Sequence, residues 1–131
     1  MEGSRREARE RAVSLLYEAE LKEQSPDEVL ADLPLAPEDF VIDLVRGVGR
    51  HRERIDALIE RHAIDWSLDR MPAVDRNICR VAVYELLERP DVPSAAVLSE
   101  AVELATTYST DESSRFVNGL LAAVANEVRP S

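Results

Sequence analysis

The chain has 131 residues, 45 % of them hydrophobic and 32 % charged, with a formal net charge of −10. That length suits one domain, here expected over 1–131, with a core of its own. No apolar run is long enough to cross a bilayer, and the acidic balance argues against nucleic-acid binding through overall charge, leaving only a local basic patch.

The first residues, Met1 to Arg6, lead straight into an amphipathic pattern without the apolar region of a secretory leader. A helix is expected over about 5–22. At about 100° per residue, Ala8, Ala12, Leu15, Leu16 and Ala19 form one inward stripe. Glu7, Glu10, Ser14 and Glu18 fall opposite. Arg5, Arg6 and Arg9 lie along one flank, clear of those glutamates.

Ser25 then reads as an N-cap, with Pro26 at the first helical position and Asp27 and Glu28 in the first turn. A short helix to about residue 33 follows, until Pro34 and Pro37 break the chain. The third helix is expected to be long, from about 37 to 62, bent at Gly47 or Gly49 or closely approached there by a neighbour. Charge is uneven here. Between Lys22 and Arg46 stand Glu23, Asp27, Glu28, Asp32, Glu38, Asp39 and Asp43, with no Lys or Arg. Basic residues return at Arg46, Arg50, Arg52 and Arg54. As bare patterns, both stretches are solvated helix faces.

Residues 63–72 form a connector with room for one short helical turn. The stretch that follows organises the chain. From Ile78 to Leu87 the only charged residues are Arg80 and Glu85. Apolar side chains point in nearly every direction, so this helix, starting near Ala73, belongs inside a ring of others. Arg80 and Glu85 are expected where it reaches the surface, and Cys79 is expected as a small buried hydrophobe. Arg76 and Arg80 are expected to pair with Asp75 and other acids. A sharp loop, 88–93, leads into a helix over 94–107. The last helix opens at Ser109, which has capping-box spacing to Glu112. It continues through Phe116, Val117, Leu120 and Leu121. Gly119 sits mid-helix, which a close helix crossing would explain. No strand pattern appears, so the chain reads as all-α, a bundle of about seven helices.

Catalytic and metal chemistry find little support. His51 and His62 have no carboxylate or cysteine spacing that makes a metal set. There is no Gly-rich phosphate loop. A single cysteine cannot close an internal disulfide, which agrees with a reducing cytoplasm. Two features suit a nucleotide strand. One is the Arg5, Arg6, Arg9 edge with Tyr17 on the same helix, since arginine forks take phosphates and aromatics stack on bases. The other is Phe116 beside Arg115. As spacing alone, a solvated basic edge and a core phenylalanine explain both.

The motifs taken together carry more. R-R-E-A-R-E-R-A-V-S-L-L-Y-E-A-E (5–20), V-D-R-N-I-C-R-V-A-V-Y-E-L (74–86), D-V-P (91–93), S-E-A-V-E-L-A (99–105) and F-V-N-G-L-L (116–121) resemble, in order and spacing, the NusB family of transcription antitermination factors. The resemblance spans essentially the whole chain. It implies two small helical sub-bundles, binding of single-stranded boxA RNA in ribosomal RNA leaders, and a heterodimer with the small-subunit ribosomal protein NusE. It also implies assembly with NusA, NusG and RNA polymerase in the cytoplasm, with no enzymatic activity, cofactor, metal or membrane. By resemblance, RNA contacts fall on Arg5, Arg6, Arg9, Glu112, Arg115 and Phe116. The NusE contact falls on Tyr84, Glu85 and Leu86, with Glu85 as its polar group. Glu7 interrupts the arginine cluster, and Ser99 and Thr106 stand where the family often has Asn and Lys. The missing lysine weakens RNA binding by the lone chain, so the heterodimer is the expected RNA-binding species. Two rival readings remain. One is a detached accessory domain of the kind fused to ribosomal RNA cytosine methyltransferases; the other is a structural helical protein that self-associates, and homodimerisation stays open.

Overall fold

Ala73 to Glu88 form the helix around which the others pack, in a computed structural model that describes residues 4–64 and 66–130. Every regular element among those residues is helical: α1 (Arg5–Leu21), α2 (Pro26–Ala31), α3 (Asp39–Arg50), α4 (Arg52–His62), α5 (Ala73–Glu88), α6 (Ser94–Tyr108) and α7 (Asp111–Val128), with one 3₁₀ turn at Leu68–Arg70. The all-α expectation holds. Met1 to Gly3, Asp65 and Ser131 lie outside the described residues, and with them the expected lead-in to α1.

Local chemistry sets the helix starts. Ser4 accepts from the Glu7 N–H while the Glu7 carboxylate accepts from the Ser4 N–H, a capping box that opens α1. Ser25 and Glu28 repeat the device at α2, with Pro26 in the first turn. At α7 the cap is Thr110, whose hydroxyl accepts from the Ser113 N–H at 3.0 Å. The expected Ser109–Glu112 box is therefore corrected. The helix starts one residue later, which makes Ser113 its third residue.

Ion pairs fix the directions. Arg9, early in α1, meets Glu85 late in α5, while Glu20 at the end of α1 meets Arg76 early in α5. The two helices are thus antiparallel. At the far end of α7, Arg129 donates to the carbonyls of Glu85, Leu86, Arg89 and Val92, so α7 runs parallel to α5. Helices α1, α2 and α3 pack together as one sub-bundle; α4, α6 and α7 form the other, with α5 shared.

Other expectations change. The long third helix is two helices, broken at His51 (φ −107°, ψ 17°), beyond both glycines. Those glycines do admit close neighbours. A Cβ on Gly47 would fall 2.2 Å from the Tyr84 ring, and one on Gly49 would fall 3.1 Å from Pro26. Gly119, by contrast, faces open space, so no crossing explains it. Arg80 and Glu85 do not emerge at the surface: they are 6 % and 1 % exposed. Each is neutralised inside. Arg80 donates to Asp56 and Glu20, and Glu85 accepts from Arg9. Arg76 also pairs with Glu20, not with Asp75. Asp75 is wholly buried and has no hydrogen-bond partner among the described residues. Cys79 is buried as expected, and that burial, helped by the Asp75 charge, pushes its thiol far above the usual range.

Candidate nucleic-acid interface

Arg5, Arg6 and Arg9 sit within the first five residues of α1 but meet different fates. Arg5 is exposed and lies over the Phe40 ring, 4.2 Å from its centroid, a cation–π contact. Arg6 is half-exposed and held by Glu100 and Glu103 of α6. Arg9 is buried. It forms a two-pronged pair with Glu85 at 2.9 and 2.8 Å, and its other nitrogen lies 3.6 Å from Glu100. Arg9 faces inward because α1 turns it onto the core stripe beside Ala8 and Ala12. The expectation of Arg9 as a surface cation is corrected: its charge is already spent on a carboxylate.

Glu112, Arg115 and Phe116 lie together at the start of α7. Glu112 and Arg115 are exposed. Phe116 is half-buried, and its ring packs against Trp66 at 5.0 Å and 53°. The two groups stand at opposite ends of the bundle. Thirteen helical steps separate Phe116 from Arg129, about 20 Å at the usual rise, and Arg129 binds the Val92 carbonyl beside the groove that Arg5 lines.

A separate groove runs along α1. A cavity of about 580 Å³ opens between α1, α5 and α6. Glu7, Glu10, Arg11, Ser14, Tyr17 and Tyr108 stand on its wall, and Val13, Val74, Ile78 and Leu104 supply its apolar part. Tyr17 and Tyr108 are 37 % and 56 % exposed, enough to offer ring faces. Arg11 has no carboxylate partner among the described residues. Tyr108 donates its phenolic hydrogen to Glu10, which holds the ring across the groove. The groove therefore leads from the start of α1 to Tyr108, which is followed closely by α7. Tyr17 was legible in the sequence as an aromatic on the arginine helix. Tyr108 and Arg11 were not, because only the packing of α1 and α6 on the shared α5 brings them to one groove.

Tyr84, Glu85 and Leu86 form no outer face. The Tyr84 ring fills the space above Gly47, and its hydroxyl donates to Asp43 at 2.8 Å. Burial and that carboxylate push its phenol up to about 12. Glu85 is engaged by Arg9, and Leu86 is in the core. The surface position expected for this segment is therefore corrected. It lies beneath the surface because α5 is enclosed on all sides. Its nearest opening is a groove lined by Arg5, Val92, Pro93, Ala96, Ser99 and Glu100, with Arg9 beneath.

The NusB family model matches residues 6–126. The chain belongs to the NusB family. Transcription antitermination protein NusB of Acidothermus cellulolyticus is 50 % identical over 92 % of this chain and 86 % of its own. NusB of Thermobifida fusca is 49 % identical, covering 98 % of this chain and 93 % of its own. Solved NusB folds agree. A crystal form of T. maritima NusB superposes with a TM-score of 0.87 at 33 % identity, covering 97 % of this chain and 94 % of that one. A crystal structure of the antitermination factors NusB and NusE in complex with double-stranded RNA matches at 0.75 and 31 % identity, covering 94 % and 96 %. No described helix is long and apolar enough to cross a membrane.

Proposed function

We propose that this chain is a NusB-type antitermination factor that binds boxA RNA together with NusE, in the cytoplasm, as part of the assembly with NusA, NusG and RNA polymerase. It acts by binding and carries out no bond chemistry. The observation that carries this reading is the groove wall, where Arg11, without a carboxylate partner among the described residues, stands with the exposed rings of Tyr17 and Tyr108. Arg5 and Arg11 take phosphates, Tyr17 and Tyr108 stack on bases, and Arg115 receives the strand at α7. Arg6 reaches a phosphate only by releasing Glu100 and Glu103. Glu112 and Phe116 line the exit, Phe116 as a ring held by Trp66. NusE sits over the groove above Arg9 and Glu85, where it adds positive charge that this acidic chain lacks.

The test is a salt titration of boxA binding with NusE present. Replacing Arg5 and Arg11 by Ala removes two phosphate contacts, so the slope of log K against log salt should become shallower by about 1.4, at about 0.7 per contact on a single strand. Tyr17→Ala should weaken binding by about 1–3 kcal/mol with little change in slope. Equal binding of boxA and a scrambled strand by the wild-type pair would refute the reading.

A further inference from the structure

One basic run is left unused by that groove. Arg46, Arg50 and Arg54 follow at four-residue spacing. Arg46 and Arg50 share one face of α3 and line a cleft of about 340 Å³ with Ser25, Pro26, Asp27 and Gly49. The hydrogen-bond ladder continues through the break at His51. Its N–H donates to the Gly47 carbonyl at 3.0 Å, and its carbonyl accepts from the Ile55 N–H at 2.9 Å. Arg54 therefore follows Arg50 by one turn, and the three form a strip about 12 Å long. All three are exposed.

Their charge is largely unspent. Arg50 and Arg54 have no carboxylate partner among the described residues, and Arg46 reaches only Asp27, at 3.5 Å, on a side chain that is 77 % exposed. Nearby acids are engaged elsewhere: Asp43 by Tyr84 and Arg89, Asp56 by Arg80 and Arg52. Glu53, next to Arg54 in sequence, is exposed, and Asp27 lines the cleft. In a chain of net charge −10 such a cluster stands against the overall field. No exposed aromatic accompanies it, since Tyr17 and Tyr108 lie on α1 and α6. The strip offers forks for phosphate and no platform for a base.

We propose that Arg46, Arg50 and Arg54 are a second, sequence-independent phosphate-binding strip, which holds RNA flanking the segment bound in the α1–α6 groove. The proposal rests on the RNA reading above. Its test uses the full chain with NusE and two RNAs, one of boxA length and one extended by about ten nucleotides at each end. The Arg50→Ala, Arg54→Ala double variant should bind the short RNA as the wild type does. On the extended RNA it should lose about three- to tenfold in affinity at low salt, with a slope shallower by about 1.4. Its thermal midpoint should stay unchanged, since both side chains are solvated. Extended RNA bound with wild-type affinity and slope would overturn the strip, as it would if the strip served an acidic protein segment. Equal loss on both RNAs would overturn its separateness from the groove. Wild-type failure on both would sink the RNA reading itself, and the strip with it.

Discussion

Gly119 sits in the middle of α7 with nothing within 4 Å of where a Cβ would stand. Its φ is ordinary, so alanine meets no strain. Gly119→Ala should raise stability by up to about 1 kcal/mol, seen as a higher denaturation midpoint at unchanged slope. A fall would show that the added methyl is not accommodated there. Gly47 shows the opposite case, because the Tyr84 ring occupies its missing side chain. The sequence marks both glycines alike. What separates them is a neighbour 37 residues away, which local pattern does not report. The same limit hid Arg9. Its spacing beside Arg5 and Arg6 suggested a surface cation, while the partner that claims it lies on another helix.

Helix α5 was the most legible element. Its apolar circumference placed it at the centre, and its start and Cys79 followed. Its two charges were misread, since periodicity reports how much of a helix is covered but not which covered charges are paired. The Arg9–Glu85 pair gives this a measurable form. Glu85→Leu leaves a buried guanidinium without its carboxylate and should cost about 3–5 kcal/mol. Replacing the pair together, Arg9→Met with Glu85→Leu, should cost much less, because no lone charge remains. A thermodynamic cycle of the single and double variants measures that difference; an additive result would show the two side chains to be independent. The start of α2 was legible from Ser25 and Pro26, whereas adjacent Ser109 and Thr110 left the α7 cap ambiguous by one residue. The break at His51 had no such marker.

Across the whole molecule, Glu20 ties α1 to α5, and through Arg80 to Asp56 of α4. Burial acts to raise its pKa, but the hydrogen bond and charge of Arg76, then Arg80 and Asn77, outweigh it and leave the carboxyl below its ordinary 4.5. A carboxyl depressed in the folded state stabilises the fold above its unfolded pKa. That contribution is lost as pH falls through the folded one. Acid should therefore loosen the joint between the sub-bundles below about pH 4.5. Thermal midpoints against pH should fall more steeply there for the wild type than for Glu20→Gln, and parallel curves would count against this linkage. The pairing of sub-bundles came from the family motifs, whereas this joint is set by helices far apart in sequence. The tilted pair of Trp66 and Phe116 adds a practical consequence. Trp66 is the sole indole in the chain, and its ring lies against the first turns of α7. On the RNA path proposed above, the protein carries its own fluorophore where the strand leaves. Its emission should shift or quench when that place fills, giving a label-free signal of occupancy without altering a single atom.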